Sequence, residues 1–281
     1  MSTILQPSAS TAPTLSVIAE TIDPTMAASL LGNLDPQQRP LIRSYVTALA
    51  GDMKAGRWYL SPDPITFTDE GMLINGQHRL RAVVQSGIAQ PFMVSRGWAA
   101  EAYQVIDAGR RRSLITRCPQ DWMRRSFAIA AVRMAMMGSQ VNQMNLRPSD
   151  TALVEFATRH EAALTTLFDM AHVSKMRASV LGVCARALIA GVDPERIRRF
   201  VLIAATGVSD STSEVAAVRL FSLIVHAHSA RMAGANALLW LYCRAQTALR
   251  VFLEGGDMKV LRGTPGDIWH LPEATSEQQA A

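Results

Sequence analysis

The sequence predicts an α+β N-terminal domain followed by an all-α C-terminal domain, on three observations. The run Met72 to Val84 reads as a short apolar strand, one glycine at Gly76, and then the start of a basic helix. Two strand-like runs, Pro64-Ile65-Thr66-Phe67 and Gln90-Pro91-Phe92-Met93-Val94-Ser95, flank it. Beyond about residue 118 the strand signal gives way to helical periodicity that continues to about residue 255.

Taken in order, residues 1–16 are uncharged and rich in Ser, Thr, Ala and Pro, a tail that cannot order itself. Residues 17–117 form the first predicted domain. In it, Leu34-Asp35-Pro36-Gln37-Gln38-Arg39 opens a helical stretch through Leu49, followed by Asp52-Met53-Lys54-Ala55-Gly56 and the strand at 64–67. Asp69-Glu70-Gly71 reads as the hairpin turn before the strand that reaches Gly76. After Gly76, Leu80, Val83 and Val84 share one helical face and Gly87 is a natural terminator, which places His78 and Arg79 in the first turn.

Residues 118–256 form the second domain. Ser149-Asp150 starts an apolar-periodic stretch to Met170, and Asp193-Pro194-Glu195 starts a helix that stops at Gly207. Ser211-Thr212-Ser213-Glu214 starts another, and a last helix runs from Asn236 to Leu253 before Gly255-Gly256. Met134, Met136 and Met137 read as core. Residues 257–281 read as a C-terminal tail. The large apolar side chains Phe200, Phe221, Leu239, Trp240 and Phe252 suggest a homodimer through the helical half.

A chain of 281 residues with 49% hydrophobic content can bury two cores. Its three cysteines, Cys118, Cys184 and Cys243, are far apart and fit neither a zinc site nor a disulfide framework, which points to a reducing cytoplasm. Arg133, Arg219 and Arg244 interrupt every apolar run that approaches membrane-spanning length, so no membrane association is expected. His226-Ala227-His228 is no metal site, because residues two apart on a helix face different ways, and no metal centre is expected elsewhere.

The stretch around Gly76 is suited to holding phosphate. Glycine lets backbone approach an anion, the first helical turn offers N–H groups with no partner inside the helix, and the helix dipole adds partial positive charge. Asn75, Gly76, Gln77, His78 and Arg79 are the expected binding residues, Arg79 adding a planar fork of donors.

In their order these segments resemble the ParB/sulfiredoxin superfamily. An Asn-Pro-x-Gln-x-x-Arg-like box, a helix, a strand, a Gly-x-x-Arg-x-x-Ala phosphate box and a closing strand recur there. Gly76, Arg79 and Ala82 match the phosphate box, and Arg81 matches the second basic position of ParB proteins. Gly76-Gln77-His78-Arg79 also resembles sulfiredoxin's Gly-Cys-His-Arg and the Asp-Gly-Gln-His-Arg signature of phage and plasmid proteins. The likeness covers about residues 20 to 115. It implies a nucleotide- or phosphate-binding, DNA-associated protein of a mobile element or bacterial chromosome, with CTP or ATP and Mg²⁺ as cofactor. Gln77 stands in place of sulfiredoxin's cysteine and cannot form a thiolate, which argues against sulfinic-acid reduction. Gly-Gln-His-Arg in place of Gly-Glu-Arg-Arg removes one carboxylate and one permanent positive charge, which leaves binding more favoured than hydrolysis.

Arginine supplies all 28 basic residues except Lys54, Lys175 and Lys259. Arg110, Arg111, Arg112, Arg117, Arg124 and Arg125 cluster against the single acid Asp121, a footprint expected to contact DNA phosphates with weak sequence preference. A helix-turn-helix reader is not favoured, since Glu155 and Glu161 lie on the helix that would need to be basic. An enzyme, phosphotransferase or nuclease, is the alternative to a binding module. Asp107 is its expected carboxylate, folding back with Arg112 across the same pocket, and His78 its titratable group, better placed for hydrogen bonding than for proton transfer. A non-catalytic regulatory or interaction protein is the remaining reading.

Overall fold

The computed structural model describes residues 15–36, 38, 40–105, 121–143 and 148–272. Among them are a four-stranded sheet and ten α-helices, a mixed α and β architecture. The chain divides into two compact units, Met1–Arg111 and Arg112–Ala281. Asp107, Arg110, Arg111, Arg112 and Arg117 lie outside the described residues.

The first unit runs β1 (Ser16–Ile22), α1 (Pro24–Leu30), α2 (Arg43–Lys54), β2 (Ile65–Thr68), β3 (Leu73–Asn75), α3 (Gln77–Ser86) and β4 (Gln90–Trp98). The sheet order is β1-β4-β2-β3, with β4 antiparallel to β1 and parallel to β2. One face supplies Ile22, Ile65, Phe67, Leu73, Phe92 and Val94 to a core completed by Ala27, Val46, Met53, Leu80 and Val83 of the helices. Asp23 caps α1, accepting the Met26 N–H at 2.7 Å, and Pro24 occupies the first turn, where its missing N–H costs nothing. Arg96 on β4 pairs through both guanidinium nitrogens with Glu20 on β1 and lies 5.4 Å over the Phe67 ring.

The strands at 64–67 and 90–95, the turn at Asp69-Glu70-Gly71 and the helix ending at Gly87 form where the sequence places them, β4 extending to Trp98. The helix expected from Leu34 starts instead at Arg43. Pro36 and Pro40 interrupt the ladder of helical N–H groups, and Leu34 forms a parallel bridge to Leu73 of β3. Ser16, placed in the tail by composition, opens β1.

The second unit contains α4 (Ser126–Met137), α5 (Asp150–Arg159), α6 (Glu161–Phe168), α7 (Ala178–Ile189), α8 (Pro194–Thr206), α9 (Val215–Ser229) and α10 (Ala235–Glu254). Helix α7 is its centre, buried from Ser179 to Leu188. Gly182 lets α4 approach it, since a Cβ there would stand 2.6 Å from Met134 Cβ. The starts at Ser149 and Asp193 and the stops at Gly207 and Gly255 match the sequence signals. The apolar-periodic stretch from Ser149 to Met170 forms two helices, α5 and α6, that meet at His160. Phe200 and Phe252 pack 5.4 Å apart inside this unit's own core, so they are not available to a second copy.

Residues 257–272, read from composition as tail, instead lie against the helices. Asp267 accepts from Tyr242 Oη at 2.8 Å and the Ser139 N–H at 2.9 Å, and it pairs with Arg186 at 3.2 Å. Arg186, 5% exposed, also donates to the carbonyls of Ala135 and Trp269, both at 2.8 Å. Gln246 holds the same segment through the Gly266 carbonyl at 2.6 Å and the Ile268 N–H at 3.0 Å. Burial pushes the Cys184 thiol up to about 12, which keeps it protonated and inert. Among the described residues no helix is long and apolar enough to cross a membrane.

Acid is expected to destabilise this unit in two steps. His160 stands 4.7 Å from the Phe156 ring, and burial first, then the charge of Arg159, holds its pKa below the ordinary value. A folded-state pKa below the unfolded one means that the contribution is complete above the unfolded value of about 6.5 and is lost as pH falls through the folded value. Glu214 is also shifted down, chiefly by hydrogen bonding from Arg199, so its contribution is lost in a more acidic window, below the usual carboxylate range. Thermal melts across pH are expected to fall in both windows. His160→Gln should flatten the first step alone and Glu214→Gln the second alone.

Candidate functional site

The site forms where β3 ends and α3 begins. Gly76 is the N-cap of α3 with φ 113° and ψ 2°, a region that side chains other than glycine rarely enter. A Cβ there would stand 3.0 Å from both Cγ1 and Cγ2 of Ile65 on the neighbouring β2. Sheet pairing therefore demands glycine twice, for the backbone angle and for the close approach. Gly76 brings no capping side chain, and the chain enters α3 with its backbone close to β2.

The first turn of α3 faces inward. Gln77 and His78 are 5% and 7% exposed. His78 Nε2 accepts the Ile42 N–H at 3.0 Å, and its ring lies 5.5 Å from that of Tyr45. Ile42 is the N-cap of α2 and has no capping side chain, so the imidazole does that work from another helix. An accepting Nε2 places the ring proton on Nδ1, a tautomer inferred from this hydrogen bond. The catalytic role expected for His78 thus meets a geometry that uses the imidazole to join α3 to α2.

Arg79 is also engaged. Its Nη2 donates to the Pro64 carbonyl at 2.8 Å and its Nη1 to the Asp63 carbonyl, and the Asp63 carboxylate stands 3.8 Å away. Asn75 Nδ2 reaches the same Pro64 oxygen at 3.5 Å, the outer limit of a hydrogen bond. The loop before β2 is thereby folded against the box. Arg81, on the next turn, carries a buried Nε with no hydrogen-bond partner among the described residues.

The upstream motif arrives at the same strand. Leu73 donates to the Asn33 carbonyl at 2.8 Å, and its own carbonyl accepts from the Asp35 N–H at 3.2 Å and Gln38 Nε2 at 2.8 Å. Asn33, Asp35 and Gln38 thus meet the short strand that leads into residues 76–79, although nearly forty positions separate them in the chain. Gln37 and Arg39 lie outside the described residues. Sequence reasoning did not single out Gln38, Asp63, Ile65 or Tyr45. Gln38 occupies the Gln position of the upstream motif, the one signal that marks it in advance.

Of the arginines expected to meet DNA, Arg125 is described fully. It is exposed at the N-cap of α4, and its Nη1 donates to the Phe168 carbonyl at 3.0 Å. The side chain of Arg124 lies outside the described residues, with Arg110, Arg111, Arg112 and Arg117. Asp107 lies there as well. Among the described residues no group of three or more His, Cys, Asp or Glu side chains gathers to hold a metal. Comparison with family models, with curated proteins and with solved structures gives no match to this chain.

Proposed function

We propose that this protein binds the phosphates of a nucleotide at Gly76 to Arg81 and associates with DNA, in the manner of a ParB/sulfiredoxin-like domain joined to a helical one. The observation that carries the reading is the start of α3. There a glycine forced into positive φ opens a helix whose next turn holds the unpartnered Nε of Arg81. Helical side chains slope toward the N-terminus, which brings Arg81 toward the end where the helix dipole favours negative charge. The meeting of residues 33–38 with the box at β3 supports the same reading.

The roles within the site divide. Arg81 meets phosphate, whereas Arg79 holds the loop at Asp63 and Pro64 and His78 holds the start of α2. The nucleotide's own phosphates would hold Mg²⁺, which would offset part of their charge. CTP and ATP are the expected nucleotides, and binding without turnover is the expected activity. DNA contact falls to the arginines from Arg110 to Arg125 and weakens steeply with salt, because neutralised phosphates release counterions. Pairing of two copies through the helical unit belongs to the same proposal.

Calorimetry of the full chain with CTP, ATP and ADP, with and without Mg²⁺ and duplex DNA, tests it. Arg81→Ala should remove about 1.5–3 kcal/mol of nucleotide binding, the range of a hydrogen bond to a charged group, with little change in stability. Arg79→Ala should weaken binding and stability together. No binding heat with any nucleotide, or equal affinity in wild type and Arg81→Ala, would overturn the assignment.

A further inference from the structure

The helical unit carries a concavity of about 390 Å³ whose lining includes Arg125, Phe127, Phe168, Asp169, His172 and Ser174. We propose that it is a binding site for one phosphate-ester group, separate from the site at Gly76 and independent of nucleotide binding there, with Arg125 shared with the DNA-contacting arginines proposed above.

His172 is the first reason. Its φ is 70° and its ψ −4°, and among the described residues only Arg231 is another non-glycine residue at positive φ. Histidine enters this region more readily than most side chains, and positions of this kind also occur at ligand-binding sites. The local turn accounts for the backbone angle, since the His172 carbonyl accepts the Lys175 N–H at 2.9 Å. Glycine would make the same turn without strain, so the turn does not account for the imidazole. The imidazole lines the concavity and has no hydrogen-bond partner among the described residues.

Arg125 is the second reason. Its Nη1 is fixed on the Phe168 carbonyl, which orients the guanidinium beside the concavity. The other donors of the fork make no hydrogen bond among the described residues. With the Ser174 hydroxyl, these groups form a donor set of guanidinium, imidazole and hydroxyl, the set that recognises phosphate oxygens. Asp169 is the one carboxylate in the lining. It accepts from an O–H or N–H beside the phosphate, donors that the sugar or base of a nucleotide ester supplies. A free nucleotide and a nucleic-acid strand both carry that chemistry.

The test uses the full chain with inorganic phosphate, a nucleoside monophosphate and a short single-stranded DNA oligonucleotide, each titrated by calorimetry and by NMR of the histidine ring protons. The variants are His172→Gly and His172→Asn, both of which tolerate positive φ. Shifted His172 ring signals, with affinity for the nucleotide or the oligonucleotide reduced about tenfold in both variants and a melting temperature equal or higher, support the site. The tighter of those two ligands identifies the source of the phosphate. Variants that are as stable as wild type or more so but bind with wild-type affinity overturn the proposal, as does saturation by every probe without a shift at His172. Binding abolished by Gly76→Ala and untouched by His172→Gly also overturns it, while leaving the first site standing.

Discussion

Arg186→Met is expected to destabilise the helical unit by about 3–5 kcal/mol, the cost of removing one partner from a buried ion pair. Arg186 sits on the central helix, 5% exposed, and its guanidinium answers the Asp267 carboxylate and the carbonyls of Ala135 and Trp269. Methionine fills similar space and answers none of them. Asp267 keeps the Ser139 N–H and the Tyr242 hydroxyl but loses the cation that balances its charge. Asp267→Asn preserves an acceptor and should cost less. The double variant should fall short of the sum of the two singles by about 1–3 kcal/mol, as residues of one network do. Chemical denaturation of all three variants measures this, and strict additivity would show that the two side chains act separately.

Gly76→Ala is the second large effect. At φ 113° a methyl group costs about 1–2 kcal/mol in backbone strain, the penalty for left-handed conformations. The clash with Ile65 adds to it, because the blocking atoms include Cβ itself at 3.3 Å, which cannot rotate away. Ile65→Ala removes the two γ carbons but keeps Cβ, and it costs stability of its own at a fully buried position, so Gly76→Ala should cost less in the Ile65→Ala background than in the wild type without becoming neutral. Nucleotide binding is expected to fall in the single variant and to stay low in the double one, since strain at residue 76 displaces the start of α3 in both. A Gly76→Ala cost that vanishes in the Ile65→Ala background would assign the whole cost to packing.

The start of α3 was legible because glycine has few uses at such a position. Gly76 and Gly87, both at positive φ, bracket the helix that periodicity assigns between them. Asp193-Pro194 and Gly207 bracket α8 by the same chemistry. The start of α2 was not legible, because the apolar spacing after Leu34 imitates a helix and nothing local announces the bridge from Leu34 to Leu73. Strand β1 escaped because an edge strand leaves Val17 and Ile18, on opposite faces, both exposed, which erases the alternation. Residues 257–272 escaped because their hold on the helices is polar and long-range, through Asp267, Thr264 and Gln246. Within the site, the box itself was readable. The main-chain partners of His78 and Arg79 were not, since no side-chain pattern encodes the backbone groups of Ile42, Asp63 and Pro64.

Hydrogen exchange of the full chain, followed at the backbone amides of the first turn of α3 with and without CTP and Mg²⁺, is the most direct measurement of the central claim. If the box holds phosphate, exchange at Gln77 to Leu80 slows on nucleotide addition, the amides of Asn33 to Asp35 and Ile42 slow with it, and Arg81→Ala moves both effects to about ten- to hundredfold higher nucleotide. Saturating nucleotide that leaves exchange at Gln77 to Leu80 unchanged would contradict the account.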